Sequence, residues 1–465
     1  MNSFYKNFCA LAFAAALCSC AVGPDFKKPE AADMPQAFEL ETKAQDAGDI
    51  SKWWEFFNDP LLTKLIEQSL LYNFDVRTAE ASLEAAYASL GVSQSGLFPT
   101  IDANASMSES GSGKTPTAPS YSAGLSAEWE IDVFGATRRG IESSLASYRY
   151  SKADLQAVRV KIAAEVADKY YLYRSKVQNL KITKKNLDIQ LKTYEITKKR
   201  IGFEGDLEVA RAAAQVESTR SQIPTLETEA MQARYALELL VGLPTGGLKE
   251  ELSEFKELPE FEKSVPVGVP AELLRRRPDV IAAEYALMAA NAKIGQAKAD
   301  YYPKFYISGN ISYTAPDTVN VFQNPYGSWS VGPTARWNIF NAGKTYYNVR
   351  YQEALTKQAG VDWDKTVATA IKETQDYIVA LSREKERVGY LKENVNMNLK
   401  AYEISFKLYK AGETEFVDLL DVQRTLLSAE QTLLESRRLV LSNIIYLYKS
   451  LGGGWDLASL RADNN

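Results

Sequence analysis

The chain repeats itself. Asp75, Val76, Ala79, Glu80, Leu83, Ala86, Gly91 and Pro99 return as Asp279, Val280, Ala283, Glu284, Leu287, Ala290, Gly295 and Pro303, always 204 residues on. A seam spaced at sevens, Val166, Tyr173, Leu180, Leu187, Tyr194 and Ile201, maps 208 residues on to Thr374, Leu381, Val388, Val395, Tyr402 and Tyr409. A tandem duplication constrains the fold more tightly than any motif, because both copies must build the same supersecondary unit. That unit reads helix, strand, loop, strand, long helix, turn, returning helix. The first copy takes residues 59–244, with its strand hairpin at 99–134. A Pro/Glu-rich connector at 245–270 leads to the second copy at 271–452, with its hairpin at 303–340.

Within each copy the helical stretches have clear ends. Asp59-Pro60 is a helix start, an N-cap followed by proline at the first helical position. Leu62, Val76, Leu83 and Leu90 then share one heptad line as far as Gly91. The long helix runs from Gly135 to about Arg200 and is roughly 100 Å long at the α-helical rise. Gly202 and Gly205 break it, and Gly412 is their counterpart in the second copy. Heptads sustained this far predict long helices packed as coiled-coil pairs.

Between the helices lie strands of an unusual kind. In Tyr121–Phe134, Tyr121, Ala123, Leu125, Ala127, Trp129, Ile131 and Val133 alternate with Ser122, Gly124, Ser126, Glu128, Glu130 and Asp132. Trp329–Phe340 does the same in the second copy. An alternation this long matches a tilted strand crossing a bilayer, apolar side to lipid and polar side to water. Shorter alternating runs, Ile101–Ser108 and Phe305–Tyr313, precede them, with loops at 109–120 and 314–328. Four strands cannot close a barrel, and open edges are not tolerated in lipid. Several copies of the chain must therefore pool their strands, above a shared ring of helices.

Composition narrows the chemistry. No histidine occurs anywhere, which removes the commonest general base and transition-metal ligand. The only cysteines are Cys9, Cys18 and Cys20, so the body of the protein has neither a disulfide framework nor a thiolate metal site. No catalytic, metal or cofactor site is expected. The net charge of −5 argues against a nucleic-acid partner. Lys6 and the short apolar run Phe8–Leu17 end in Leu17-Cys18-Ser19-Cys20, which resembles a lipoprotein signal: residues 1–19 are removed and Cys20 carries lipid. Ala21 in the next position points to the outer membrane. Residues 20–58 form a polar, lipid-anchored extension with little periodicity, and 453–465 a C-terminal tail.

Several motifs in order now resemble one family. They are Cys20-Ala21-Val22-Gly23-Pro24-Asp25-Phe26, Trp53-Trp54-Glu55, WEIDVFG at 129–135, LLRRRPDVIAAEYAL at 273–287, WSVGPTARWNIFNAG at 329–343, LLDVQRTLLSAEQ at 419–431 and LGGGW at 451–455. They cover essentially the whole mature chain and resemble the TolC-like outer-membrane efflux proteins, in their NodT/OprM-type lipoprotein branch. The resemblance implies a homotrimer, mainly α-helical, with a 12-stranded outer-membrane β-barrel and a periplasmic helical barrel. It implies a passive exit duct working with a periplasmic adaptor and an inner-membrane pump of the resistance-nodulation-division type. A type I secretion or metal-efflux duct, or a coiled-coil lipoprotein without a pore, are the alternatives.

Two regions are candidates for function. Asp418, Asp421 and Arg424 share one helix face just past Gly412. By themselves they read as a charge-paired helix start. The resemblance makes Asp421 a ring-forming aspartate at the periplasmic constriction, Arg424 its basic partner and Val417 an apolar ring position. The turns holding Gly202, Glu204, Gly205 and Asp206, and Gly412 and Glu413, mark the end farthest from the membrane and so the adaptor-docking surface. Two other motifs read as structure. Gly111-Ser112-Gly113-Lys114-Thr115 resembles the end of a phosphate-binding loop, but Pro116 and Pro119 stand where its helix must begin, which makes it an exposed loop tip. Arg275-Arg276-Arg277 reads as structural ion pairing.

Overall fold

A computed structural model describes residues 21–29, 38, 49–113, 115–199, 205–261, 265, 276–318 and 327–456. Cys20, Gly202, Glu204 and Arg275 lie outside them. The elements in order are a 3-10 turn (Trp53–Phe57), α1 (Pro60–Tyr72), α2 (Phe74–Ser95), β1 (Thr100–Ser112), β2 (Thr115–Ile131), α3 (Ala136–Lys199) and α4 (Gly205–Val241). There follow α5 (Pro278–Ala299), β3 (Lys304–Ala315), β4 (Gly327–Arg336), α6 (Lys344–Ala411) and α7 (Phe416–Ser450). The two repeat offsets reappear in the element starts: α2 with α5 and β1 with β3 at 204 residues, α3 with α6 at 208. Equivalent atoms repeat as well. Trp129 Nε1 donates to the Leu97 carbonyl at 2.9 Å, and Trp337 Nε1 to the Tyr301 carbonyl at 3.1 Å.

The chain forms two compact units. The first holds residues 1–30, 82–152 and 281–365, and the second 31–81, 153–280 and 366–465. In the first, the strands make one antiparallel sheet in the order β1-β2-β3-β4, so β2 pairs across the repeat boundary with β3. The register puts Ile101, Ala127, Gly309 and Val331 in one row across the sheet, and Asp102, Ser126, Asn310 and Ser330 in the next. The alternation read from sequence therefore lines up across all four strands. On the polar face hydroxyls and amides join neighbours: Asn104 to Ser126 at 2.9 Å, Ser106 to Ser122 at 2.8 Å and Ser312 to Ser328 at 2.9 Å. β1 and β4 each pair on one side only.

The strand ends differ from expectation. β2 begins at Thr115 and stops at Ile131, because Asp132 turns to accept the Arg138 backbone N–H at 2.8 Å, and Gly135 takes a left-handed φ of 83°. β4 stops at Arg336 rather than Phe340 for a related reason: Ala342 and Gly343 both have positive φ. The 109–120 loop is largely strand, with β1 and β2 meeting at Gly113 (φ 56°). The glycine-rich stretch there is a hairpin tip, with no helix after it.

The sheet makes a direct prediction. Ala127→Arg puts a charge on the apolar face, at a cost of about 2–4 kcal/mol near a bilayer midplane, whereas Ser126→Arg lies on the polar face. Trimer yield in outer membranes should fall for the first and hold for the second. Equal yields would contradict the register.

In the second unit, Asp59 caps α1 as read from sequence, accepting from the Leu61 and Leu62 backbone N–H groups. The heptad line through Leu62 and Val76 is broken, however. Asn73 ends α1 and caps α2, its Oδ1 accepting from Asp75 N at 2.8 Å and Val76 N at 3.2 Å. A polar cap within a heptad-compatible stretch leaves the apolar spacing intact, which hides the break. The far part of α3 brings a second correction. The line it buries in the protomer is not Leu180–Leu187–Tyr194, which is half-buried, but Thr183, Asn186, Gln190, Thr193 and Thr197. Gln423 donates to Thr193 Oγ1 at 3.0 Å and Gln431 to Thr183 Oγ1 at 3.4 Å, so α7 meets α3 along an uncharged polar ladder. Arg277 is buried between Asp279 at 2.6 Å and Glu373 at 2.9 Å and donates to the Ser450 carbonyl, as the structural reading expected.

Candidate gate and docking end

α6 stops at Ala411 because Gly412 adopts a left-handed φ of 86°. Gly412 N–H then reaches the Tyr409 carbonyl at 3.1 Å and Glu413 N–H the Leu408 carbonyl at 3.0 Å, closing the last carbonyls of the helix. Thr414 Oγ1 donates to Asp418 Oδ2 at 2.8 Å and ties the turn to the first turn of α7. Beneath it lies a small core of Ala212, Tyr409, Phe416, Leu419 and Leu420, flanked by Tyr194, Ile196, Tyr402 and Phe406. The Tyr409 hydroxyl meets Thr197 Oγ1 at 2.7 Å. Residues from α3, α4, α6 and α7 therefore converge, so the ends of both long helices and the starts of both returning helices share one end of this unit. Gly205 and Asp206 are the first residues of α4 there.

α7 divides cleanly at this end. Phe416, Leu419, Leu420, Gln423, Leu426 and Leu427 are buried, while Val417, Asp418, Asp421 and Arg424 are exposed on the other face. The face predicted from spacing is thus present and open within the protomer. The pairing on it differs from expectation. Among the described residues no ion pair joins Asp421 to Arg424; Arg424 Nε donates to Gln215 Oε1 of α4 at 2.7 Å. Gln215 is itself buried and turns its amide nitrogen to Thr219 Oγ1. The guanidinium therefore fastens the start of α7 to α4. Sequence reasoning missed Gln215 because it lies on a heptad helix with only its polarity to mark it. Farther along α7, burial pushes the Glu430 carboxyl upward against the opposing pull of Lys185, so this glutamate is no inert position.

This end, and the amphipathic sheet of the other unit, can be set beside known proteins. A family model described as outer membrane efflux protein matches residues 65–243 and 269–453, one segment for each repeat. The chain belongs to the outer membrane efflux protein family. It is similar to the toluene efflux pump outer membrane protein TtgC of Pseudomonas putida, 31% identical over 97% of this chain and 96% of that one. It is also similar to the cation efflux system protein CusC of Escherichia coli K12, 30% identical over 95% and 98%. The solved outer-membrane channel OprN superposes with a TM-score of 0.83 at 34% identity, over 94% of this chain and all of the other. This efflux protein is an outer-membrane channel of an efflux pump system. The mainly helical chain with its one four-stranded sheet matches the solved trimeric channels of this family, and it belongs in the outer membrane.

Proposed function

We propose that the end of the second unit built by Tyr409, Gly412, Phe416 and Arg424 is the gate of the duct and the surface that receives the adaptor. One observation carries the reading. The start of α7 presents Val417, Asp418, Asp421 and Arg424 on an exposed face, and the half-buried bond from Arg424 to Gln215 ties that face to α4. Breaking that bond loosens the charged face while the core of Phe416, Leu419 and Leu420 still holds the helix, a modest cost that suits a gate. The aspartates repeated about a three-fold axis would favour cations or adaptor lysines at the constriction. The adaptor meets the Gly412-Glu413 turn and the start of α4 at Gly205 and Asp206; the sequence assigns Gly202 and Glu204 to the same role.

The lipid on Cys20 belongs to the same proposal, on the strength of Leu17-Cys18-Ser19-Cys20. The cargo is chosen by the pump: relatives named for toluene and for cations are equally similar to this chain, and a chain without histidine offers no imidazole relay for metal ions. The test is crosslinking in cells. Cysteine at Glu413 should capture the adaptor, and cysteine at Asp317, in the β3–β4 loop, should not. Capture from Asp317 alone would reverse the proposed orientation.

A further inference from the structure

The stretch after Cys20 reads as a featureless extension, yet it lies in a fitted groove of the first unit. Val22 N–H donates to the Phe134 carbonyl at 3.1 Å. Arg139, itself buried, donates to the Val22 carbonyl at 3.2 Å and to Asp25 at 2.7 Å, and its other side is held by Glu142 at 2.7 Å. Asn291 Nδ2 donates to the Pro24 carbonyl at 3.0 Å, and Lys28 pairs with Glu284 at 2.7 Å. Three glycines make the room. A Cβ on Gly23, whose φ is 105°, would stand 2.3 Å from Gly295 Cα. One on Gly295 would stand 2.7 Å from the Val22 carbonyl oxygen and 2.9 Å from Arg139 Cγ, and one on Gly135 would stand 2.7 Å from Ala21 Cα.

The duplication supplies an internal control. Gly91 is the first-repeat counterpart of Gly295, in the corresponding helix, and a Cβ there meets nothing within 4 Å. The crowding at Gly295 comes from the Val22 carbonyl and from the Arg139 side chain that itself holds Val22 and Asp25, so the segment and its arginine clamp close on this glycine together. The groove also draws on both repeats: Phe134, Gly135 and Arg139 come from the β2–α3 junction, Asn291 and Gly295 from α5.

We propose that the groove of Gly135, Arg139, Asn291 and Gly295 is a binding site for the protein's own residues Ala21–Asp25, and that it holds the lipid-bearing residue 20 at the foot of β2. Consecutive Cα atoms are about 3.8 Å apart, so once Ala21 is fixed against Gly135, residue 20 has one short reach beyond it. The lipid chains then enter the membrane at the junction where strand gives way to helix. The docking half stands on the contacts alone; the anchoring half rests on the lipidation of Cys20 proposed above.

The test uses the full-length trimer purified from outer membranes. Trypsin cleavage of the Lys27–Lys28 bond is timed, and the mass of the released peptide is read. A docked segment is cut only from its released population, so Gly295→Ser should raise the rate roughly tenfold, while Gly91→Ser should leave it at the wild-type value. If Gly295→Ser does not accumulate, Asp25→Asn removes one groove contact without touching the helices and should raise the rate a few-fold. Wild-type rates in the Gly295→Ser or Asp25→Asn protein, or equal acceleration by both glycine substitutions, overturn the docking. A released peptide without acylglycerol mass overturns the anchoring role while leaving the cleavage pattern to judge the groove.

Discussion

Replacing Asp59 with alanine should destabilise the second unit more than any other single change considered, by about 3–5 kcal/mol. One carboxylate joins two helices. Its Oδ1 caps α1, and its Oδ2 accepts from Tyr170 Oη and from Arg174 Nη1, both of α3 and both at 2.8 Å. Arg174 carries the link onward to the connector, donating to the carbonyls of Lys256 and Glu257. Asp59 and Arg174 are each 9% exposed, so removing the acid strands a buried guanidinium. The lost cap adds roughly 1 kcal/mol. The midpoint of thermal loss of helical circular dichroism should drop sharply in Asp59→Ala. It should recover in part in Asp59→Ala/Arg174→Met, because the double substitution leaves no unpaired charge. Additive losses would mean that the two residues act independently.

The second large effect concerns the gate. Arg424→Ala removes the contact to Gln215 in every protomer. Discounted for the exposed side of the arginine, each contact is worth about 1 kcal/mol, and three together about 3 kcal/mol. That shifts an open-to-closed ratio roughly a hundredfold. Gln215→Ala should reproduce much of it, because the same bond is lost from the other end. On the proposed gate, Asp421→Ala acts by another route, relieving repulsion among the aspartates of the three copies, and should favour the closed state. Cells carrying Arg424→Ala should become sensitive to large antibiotics such as vancomycin. Glu393, exposed on α6, is the neutral control. Glu430 is unsuitable, since burial already perturbs its carboxyl.

Much of the architecture was legible because the chain states it twice. The repeat offsets predicted where α5, β3 and α6 begin once their first-repeat partners were placed. The strand alternation predicted which residues share a sheet face, and the register agrees from Ile101 across to Val331. What escaped notice was polar. Asn73 interrupts a helix without disturbing the apolar spacing around it, because a cap works through one side-chain oxygen. Thr183, Asn186, Gln190, Thr193 and Thr197 form a buried line that a search for apolar heptads passes over. Gln215 and Gln423 meet their partners across more than 200 residues of sequence, a separation no local pattern reports. The exposed face of Val417, Asp418, Asp421 and Arg424 was legible from spacing, but its fastening to α4 was not. The groove for residues 21–25 was missed because a segment with little periodicity can still be held by glycines that leave space for it.

Single-channel recording of the purified trimer in a planar bilayer tests the central claim most directly. A gated duct predicts small or rare conductance events for the wild type, and larger and longer-lived ones for Arg424→Ala at the same protein density, with Glu393→Ala matching the wild type. An intact Arg424→Ala trimer that inserts into the bilayer and passes no current would contradict it.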